Sequence, residues 1–289
     1  MRKLGFFLFL LFHTAAFAQQ TGSLRLKKYR VADLPERVNE TSALTLVNGN
    51  LFTVNDSGNP AELFTLDKQN GDITAIQELP FPNIDWEALA TDGESVFIGD
   101  IGNNAGARQN LSIRKYNLSN ASDTLTVKFY YPEQEDFELR NLKTDFDAEA
   151  LVFHGGKLHV FTKEWKSGNT AHYIIDPNKT EKQAAQKVET FPIGYMVTDA
   201  AYRDGKLYLV GYTKLSAVYL SVFEETERGL FFAGRHRRYR LGSAFSVAQI
   251  EGVTAADDGL YISGERFRHF GFDVPARLYF VPYTALGGF

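Results

Sequence analysis

Four acidic residues and one serine begin five similar segments of this 289-residue chain. Each is followed by Ala or Gly, and the five are Ser42, Glu87, Glu149, Asp199 and Glu251. Carboxylates that converge within a few ångströms in a partly dry site must be protonated or neutralised. A bound cation is the simplest remedy, and oxygen donors without Cys or His favour Ca²⁺ above Mg²⁺. These five residues are therefore the candidate ligands of a calcium ion, in a structural or a catalytic role.

A second set of polar side chains follows 13 to 15 residues after the first. In a hydrolase, Asp56 or Asp100 would activate water, while Lys163 or Arg108 would offset developing negative charge. The candidate substrate-binding residues are aromatic or cationic, and they are Trp86, Trp165, Lys214 and Arg266. Acidic, basic and aromatic groups beside a metal ion favour a small anionic ligand, which would bind the metal ion on one side and Lys or Arg on the other.

A recurring hairpin must position both sets. The five segments span 42–58, 87–102, 149–164, 199–213 and 251–266. Each contains a turn pair, such as Asn48-Gly49 or Asp204-Gly205, that supplies the positive φ angles of a tight hairpin. The segment starts lie 45, 62, 50 and 52 positions apart, close to the ~40–50 residues of a propeller blade.

The chain is therefore predicted to be all-β, a single five-bladed β-propeller whose innermost strands bring both polar sets to one tunnel mouth. Its 24 Phe and 14 Tyr agree with a β composition. The last repeat lacks a fourth strand, and an N-terminal strand over 23–31 is expected to complete it. Six blades remain an alternative, because 133–147 fits no strand and is interpreted as a long connection. The cationic segment 235–240 is expected to be a solvated outer edge strand.

The first 18 residues have the pattern of a secretory signal peptide, with Arg2 and Lys3, an apolar core, and Ala16-Phe17-Ala18 at the cleavage site. The mature domain is expected to span 19–289 and to be secreted or periplasmic. The absence of Cys excludes disulfides and thiolate chemistry. A net charge of −4 disfavours nucleic acid as a partner. No later apolar run approaches the ~20 residues of a membrane span, so no membrane insertion is expected.

The segment IDWEALATDGESVFIGDIGNNAGAR (84–108) resembles a family of exported bacterial propellers. These carry DWE-A/D-L/I-A, then a G-D-x-G-N/D-N loop and an Arg. The axial pattern is more distantly similar to the calcium-activated nucleotidases (apyrases), five-bladed propellers that bind a central Ca²⁺ through Glu and Ser. That resemblance implies Ca²⁺ at the five segment starts. The resemblance supports nucleotide hydrolysis less well than Ca²⁺ binding, for two reasons. Ser-Gly follows Asp56 where that family has an Arg-containing turn, and Glu87 follows the neighbouring Trp rather than preceding it.

Two functions are open from the sequence. One is a Ca²⁺-dependent hydrolase of a phosphate ester, anhydride or related anionic ester; the other is a calcium-stabilised propeller that binds a ligand or protein without catalysis. The acids could instead cap strands or pair with Lys and Arg, and the tryptophans could pack between blades. Glycoside hydrolysis by two carboxylates is a further alternative. The substrate and any protein partner are not determined by the sequence.

Overall fold

Five sheets surround one axis in the computed structural model, which describes residues 20–269 and 271–287. Their innermost strands contact one another in a closed ring. The predicted all-β, five-bladed propeller is confirmed, and the described residues contain no sixth blade. The predicted signal peptide, 1–18, lies outside the described residues. No helix among the described residues is long and apolar enough to cross a membrane.

The described part of the chain opens with β1 (Gln20–Ser23) and β2 (Arg30–Asp33). Blade 1 contains β3 (Thr41–Val47), β4 (Asn50–Asn55), β5 (Glu62–Leu66) and β6 (Ile73–Glu78). Blade 2 contains β7 (Trp86–Thr91), β8 (Ser95–Asp100), β9 (Ser112–Asn117) and β10 (Thr124–Tyr130). Blade 3 contains β11 (Ala148–His154), β12 (Lys157–Thr162), β13 (Thr170–Ile175) and β15 (Gln186–Phe191), while the intervening β14 (Gln183–Ala184) pairs with β10 of blade 2.

Blade 4 contains β16 (Met196–Arg203), β17 (Lys206–Tyr212), β18 (Ala217–Glu224) and β19 (His236–Ser243). Blade 5 contains β20 (Gln249–Ala255), β21 (Gly259–Glu265) and β24 (Arg277–Pro282), with a separate hairpin of β22 (Phe267–His269) and β23 (Phe272–Val274) between them. The helical elements are single turns, namely Leu26–Tyr29, Glu36–Val38, Ala244–Val247 and Tyr283–Leu286.

Tight turns join the innermost strand of each blade to the second strand. In blade 1, Asn48 and Gly49 have φ angles of 48° and 79°, and in blade 4 Asp204 and Gly205 have 50° and 73°. These positive values are those that Asn, Asp and Gly adopt most readily. The hairpins therefore form where the sequence pattern placed them, and they bring the start of the first strand to the end of the second. Blade 5 departs from the predicted turn, because neither Asp258 nor Gly259 has a positive φ and Gly259 already belongs to β21.

The N-terminal strand β2 completes blade 5 by pairing antiparallel with β24. The predicted range, 23–31, is displaced: the closing strand is Arg30–Asp33, and β1 instead pairs in parallel with β19 of blade 4. Between them, Leu24 and Leu26 are buried in the core shared by blades 4 and 5. Burial of these two leucines explains why this stretch passes between blades rather than extending the strand.

The hydrophobic core is divided among the five blade interfaces. One cluster, for example, packs Val54 and Leu63 of blade 1 against Trp86 and Ile98 of blade 2. Another joins Phe64 of blade 1 to Leu278 of blade 5 and so closes the ring. Because each blade is buried on both faces, the innermost strands are held at fixed positions around the axis.

A chain that begins at Leu34, and so lacks β2, is expected to lose roughly 3–6 kcal/mol of unfolding free energy, because the outer edge of blade 5 and the sites of Leu24 and Leu26 become exposed. A chain that begins at Leu24 lacks only β1 and is the matched control, with a loss below about 2 kcal/mol. Denaturant unfolding measures both. Equal stability of the two truncated chains would contradict closure by β2.

Candidate functional site

A cleft opens where the innermost strands begin, at one end of the central channel. Its deep part is a cavity of about 230 Å³, and its outer part has a volume of about 720 Å³. The two parts share the side chains of Leu142, Trp165, Tyr212, Gln249 and Glu265. The predicted site residues that line the deep cavity are Ser42, Asp56, Glu87, Glu149, Lys163, Trp165 and Glu251. The structure therefore brings most of both polar sets together.

A β-bulge recurs near the start of the innermost strand of every blade. The residue without a partner in the ladder is Ser42, Glu87, Glu149, Thr198 or Glu251 in blades 1 to 5. A bulge bends the strand and re-aims one side chain. The bulge therefore gives these five positions one common geometry at the mouth.

Blade 4 departs from the predicted ring. Thr198 occupies the bulge, and Asp199 pairs with Val210, at the position that Ala88 occupies opposite Gly99 in blade 2. Asp199 is fully buried, and its carboxylate accepts backbone N–H groups of Ala200 at 2.8 Å, Val253 at 2.7 Å and Leu44 at 3.3 Å. Asp199 therefore joins blades 4, 5 and 1 across the axis and does not line the cleft.

The hydroxyl residues of the ring bind neighbouring backbone. Ser42 Oγ donates to the carbonyl of Trp86 at 2.8 Å, and Thr198 Oγ1 donates to the carbonyl of Ile250 at 2.7 Å. Both acceptors directly precede the bulged glutamate of the next blade. These two bonds therefore fix where Glu87 and Glu251 enter the mouth.

A compact group of carboxylates lies on the blade 1–blade 2 side of the cavity. One oxygen from each of Asp56, Asp85 and Glu87 lies within 4.8 Å of the others. Burial raises the pKa of Glu87 well above its ordinary value, and the negative charges of Glu149 and Asp56 add to this effect. Burial and the neighbouring Asp56 raise the pKa of Asp85 to about 6, against the opposing charge of Arg108. The three acids therefore share a site where a further positive charge is favourable.

Gly102 makes room for this group. A Cβ at Gly102 would overlap Asp85 Oδ2 and would lie 2.9 Å from Glu87 Cγ. The glycine belongs to the loop 99–108 that the sequence singled out. Its missing side chain, rather than a positive φ angle, is what the site requires.

Arg108 lies behind the carboxylate group. Its guanidinium bonds Asp100 Oδ1 at 2.6 Å and the carbonyl of Gly102 at 2.7 Å, and it lies 3.6 Å from Asp85. Asp100 is fully buried and does not line the cavity. The structure thus places Asp100 and Arg108 where they orient Asp85, not where they contact a ligand in the cleft.

Lys163 is the buried cation of the cavity. Its ammonium binds both carboxylate oxygens of Glu149, one of them at 2.5 Å, and lies 5.0 Å from the Trp165 ring and 5.3 Å from that of Tyr212. Burial opposes its charge, yet Glu149 and other acids hold the pKa of Lys163 well above its ordinary value. Lys163 is therefore held between a carboxylate and two aromatic faces.

A second acidic pair lies on the blade 5 side. Gln249 donates one amide nitrogen to Glu251 at 2.8 Å and also to Glu265. Burial raises the pKa of Glu251 to about 7, against the charge of Lys163. The shared amide holds both carboxyl groups at the cavity wall.

The remaining predicted residues divide between core and rim. Trp86 is fully buried between blades 1 and 2 and lies outside the cleft. The indole N–H of Trp165 donates to Asp147 at 2.8 Å, which holds the ring at the rim. Lys214 and Arg266 line the outer cleft; Lys214 donates to the carbonyl of Trp165, and Arg266 pairs with Glu36 and Asp273.

Several lining residues were not predicted from the sequence. The connection 133–147 contributes Asn141 and Leu142, and the backbone of Leu142 bonds that of Asn104 at 2.9 Å. The predicted connection over one face is thus observed, and it borders the cleft. Asp85 precedes Glu87 by two residues, a spacing at which side chains of an extended strand point the same way, and on this spacing the sequence predicted Asp85 as an outer ligand.

No protein-family model matches the chain, and no curated protein matches it. A putative oxidoreductase (glucose dehydrogenase) from Thermus thermophilus is 15% identical, with 86% of this chain and 98% of that chain covered and a TM-score of 0.46. Hydrazine synthase from Kuenenia stuttgartiensis is 13% identical, with 87% and 58% covered and a TM-score of 0.43. A putative 6-phosphogluconolactonase from Bacteroides uniformis is 13% identical, with 84% and 72% covered and a TM-score of 0.39. None assigns an activity to this chain, and the resemblance to the exported propellers and apyrases stays a prediction.

Proposed function

We propose that this protein is an exported, calcium-binding propeller that hydrolyses a small anionic ester or anhydride in its central cleft. The observation that carries the proposal is the group of Asp56, Asp85 and Glu87, whose oxygens lie within 4.8 Å of one another. Asp56 and Glu87 line the cavity that also contains Lys163. An anion would find there both a metal ion and a fixed ammonium.

The donor set fits a hard divalent ion. All three ligands would be carboxylates, with the hydroxyl of Ser42 3.2 Å from Glu87, and oxygen-only donors suit Ca²⁺. The space that Gly102 leaves beside Asp85 and Glu87 allows the carboxylates to approach one another. Of the five ring positions proposed from sequence, Glu87 and Ser42 keep a place in this set. Glu149 is bound to Lys163, Asp199 to backbone N–H groups, and Glu251 to Gln249.

The protein groups of the cavity have separable roles. Bound Ca²⁺ would supply positive charge for a substrate oxyanion. Lys163 would stabilise the charge that develops as the ester bond breaks, and Trp165 would position the leaving group at the rim. Glu251 and Glu265 face the same cavity, and Gln249 holds one oxygen of each, so they can accept a proton from water.

One observation favours a second function, a calcium-stabilised binding propeller without catalysis. Lys163 and Glu149 form a buried ion pair with two hydrogen bonds, which neutralises the cation that hydrolysis would use. In this alternative the same cleft would retain an anionic ligand without turnover, because a propeller fold does not specify the chemistry at its mouth.

Hydrolysis is tested with 4-nitrophenyl phosphate, pyrophosphate and 4-nitrophenyl sulfate, each with Ca²⁺ and with EDTA. We expect Ca²⁺-dependent turnover of at least one, and a loss of about a hundredfold or more in Lys163→Gln, since a fixed charge at the reacting group contributes about 3 kcal/mol. Lys128→Gln, on the exposed outer strand β10 and away from the cleft, is the control and keeps most of the activity.

The double variant Glu149→Gln/Lys163→Gln removes the whole ion pair, and its melting curve separates loss of charge from loss of fold. Ca²⁺-dependent stabilisation without turnover of any probe would select the binding propeller. Turnover that is equal in EDTA would reject a role of the metal in hydrolysis.

A further inference from the structure

Three histidines form a row on the face of blade 3 that packs against blade 4. They lie on neighbouring strands, and they are His154 of β11, His159 of β12 and His172 of β13. His159 and His172 are buried, and Nδ1 of His159 lies 2.8 Å from Nε2 of His172. Two titratable rings are therefore in direct contact inside the protein, away from the side chains that line the cleft.

A loop of blade 4, residues 225–235 between β18 and β19, covers this row. The backbone N–H groups of Phe231 and Phe232 donate to the carboxylate of Glu189 at 3.0 and 2.7 Å. The same carboxylate lies 3.0 Å from Nδ1 of His172, and the fully buried ring of Phe231 lies 5.7 Å from that imidazole. Glu189, on the outer strand of blade 3, therefore binds the histidine pair and the loop at the same time.

The loop backbone also lies directly against His159. A Cβ at Gly229 would lie 2.8 Å from Cε1 of His159. The N–H of Gly229 donates to Glu225 at 2.6 Å, and Glu225 lies 2.8 Å from Nε2 of His154. The further ionisable side chains of blade 4 at this interface are Tyr202, Arg228 and His236. A displacement of the histidine pair would therefore disturb the loop.

The hydrogen-bond geometry of the pair determines how many protons it can hold. Its two ends face groups that only accept, namely the carbonyl of His154, 3.2 Å from Nε2 of His159, and the carboxylate of Glu189. Each end contact needs an N–H, and the contact between the rings needs one more. Three protons on the four ring nitrogens therefore complete all three hydrogen bonds, and the pair then carries one positive charge.

A fourth proton is incompatible with this arrangement. It would turn Nδ1 of His159 and Nε2 of His172 into two N–H donors that face each other at 2.8 Å, on two rings of like charge. Burial opposes the charge of Glu189, yet hydrogen bonds from His172 and the loop backbone hold the pKa of Glu189 below its ordinary value. Glu189 therefore balances the first positive charge of the pair but not a second.

We propose that the His159–His172 pair is a pH switch for the 225–235 loop: the loop stays on blade 3 while the pair carries at most one positive charge and is released when the pair carries two. Release would uncover Phe231 and open the interface between blades 3 and 4. The pair lies outside the central cleft, and the proposal is independent of calcium binding and hydrolysis.

Acidic pH favours release. Burial and the neighbouring His172 lower the pKa of His159 to about 4, and burial lowers the pKa of His172 although Glu189 opposes this. In the released state both rings regain an ordinary pKa of about 6.5. Release therefore takes up protons and becomes more favourable as the pH falls from about 6.5 towards 4. The ion pair of His154 with Glu225 acts in the opposite direction, because a charged His154 attracts a carboxylate of the loop.

Hydrogen exchange of the purified protein, measured by mass spectrometry and corrected for the intrinsic effect of pH on exchange, tests the switch between pH 7 and pH 4. Protection of the amides at 229–232 is expected to fall at least tenfold at pH 4, since a lowered pKa in the held state multiplies the release equilibrium in acid. The amides of β8, in blade 2, are expected to keep their protection. This comparison separates release of the loop from unfolding of the whole chain.

Two single variants test the assignment to the pair. His159→Gln keeps an amide that can bind the neighbouring carbonyl and ring but does not titrate, so loop protection is expected to change less than about threefold between the two pH values. His154→Gln is the matched control in the same row, and it is expected to keep the native acid response.

A titration of the histidine ring signals by NMR needs no variant of the native protein. The signals of His159 and His172 are expected to titrate below pH 6.5 in separate steps, and the lower step is expected to coincide with release of the loop. The proposal is overturned if loop protection is equal at pH 7 and pH 4, if β8 loses protection together with the loop, or if His159→Gln keeps the full acid response. Independent titration of both rings near pH 6.5 would also overturn it.

Discussion

Replacement of Asp199 by alanine is expected to lower the free energy of unfolding by about 3–5 kcal/mol. The substitution removes the acceptor of three backbone N–H groups, on Ala200, Val253 and Leu44. The N–H groups of Leu44 in blade 1 and Val253 in blade 5 then stay buried at the axis without this acceptor. For a chain of this size, the midpoint of thermal unfolding is expected to fall by roughly 10 °C. Differential scanning calorimetry measures it directly.

Thr198→Val is the matched control for this prediction. It removes one hydrogen bond, from Thr198 Oγ1 to the carbonyl of Ile250, at the adjacent position, and a cost of about 1 kcal/mol is expected. The Asp199→Ala protein is expected to keep its stabilisation by Ca²⁺, because Asp199 does not line the cavity. Loss of that stabilisation in a folded Asp199→Ala protein would return Asp199 to the metal ligands, as the sequence first suggested.

The double variant Asp85→Asn/Glu87→Gln is expected to lose stabilisation by Ca²⁺ entirely. In the native protein, Ca²⁺ at a hundredfold excess over its dissociation constant would add about 2.7 kcal/mol to the free energy of unfolding. Melting curves in EDTA, in Ca²⁺ and in Mg²⁺ measure this effect. A larger shift with Ca²⁺ than with Mg²⁺ is expected in the native protein, because carboxylate ligands without an octahedral cage suit the larger ion.

Two further variants show whether the group itself, and not general acidity, holds the ion. Gly102→Ala keeps every donor but places a Cβ against Asp85 and Glu87, so it is expected to weaken Ca²⁺ binding at least tenfold. Glu265→Gln removes one acid of the same cleft that lies outside the group, and it is expected to bind Ca²⁺ normally. An unchanged Ca²⁺ response in the double variant would show that these three acids are not a metal site.

The blade pattern could be predicted from sequence because its determinants are local. Asn48-Gly49 and Asp204-Gly205 set the turn conformation within four residues, and the apolar strands that follow are contiguous. The count of five blades followed from the repeat spacing, and the closure by an N-terminal strand followed from the missing fourth strand of the last repeat. The exact closing strand did not, because it depends on the burial of Leu24 and Leu26 between two blades.

Most of the residues that line the cleft could also be predicted from the sequence, because the start of one strand and the end of the next must meet at the open end of a hairpin. The sequence placed Asp199 at the mouth because an acid followed by Ala has the same pattern as the Glu-Ala pairs of other blades. The bulge shifts the register by one residue and places Thr198 at the mouth. A shift of one residue reverses which way a side chain points, and no local pattern reveals it.

Only the tertiary structure decided which charges meet. Asp85 joins Asp56 from another blade, Lys163 binds Glu149 across a hairpin, and Arg108 turns back to Asp100. The sequence determined which residue types reach the mouth, through turn chemistry and strand alternation that act over a few residues. The meeting of Asp56 with Asp85 and Glu87 depends on the distance between strands of different blades, and only the packed ring of blades sets that distance.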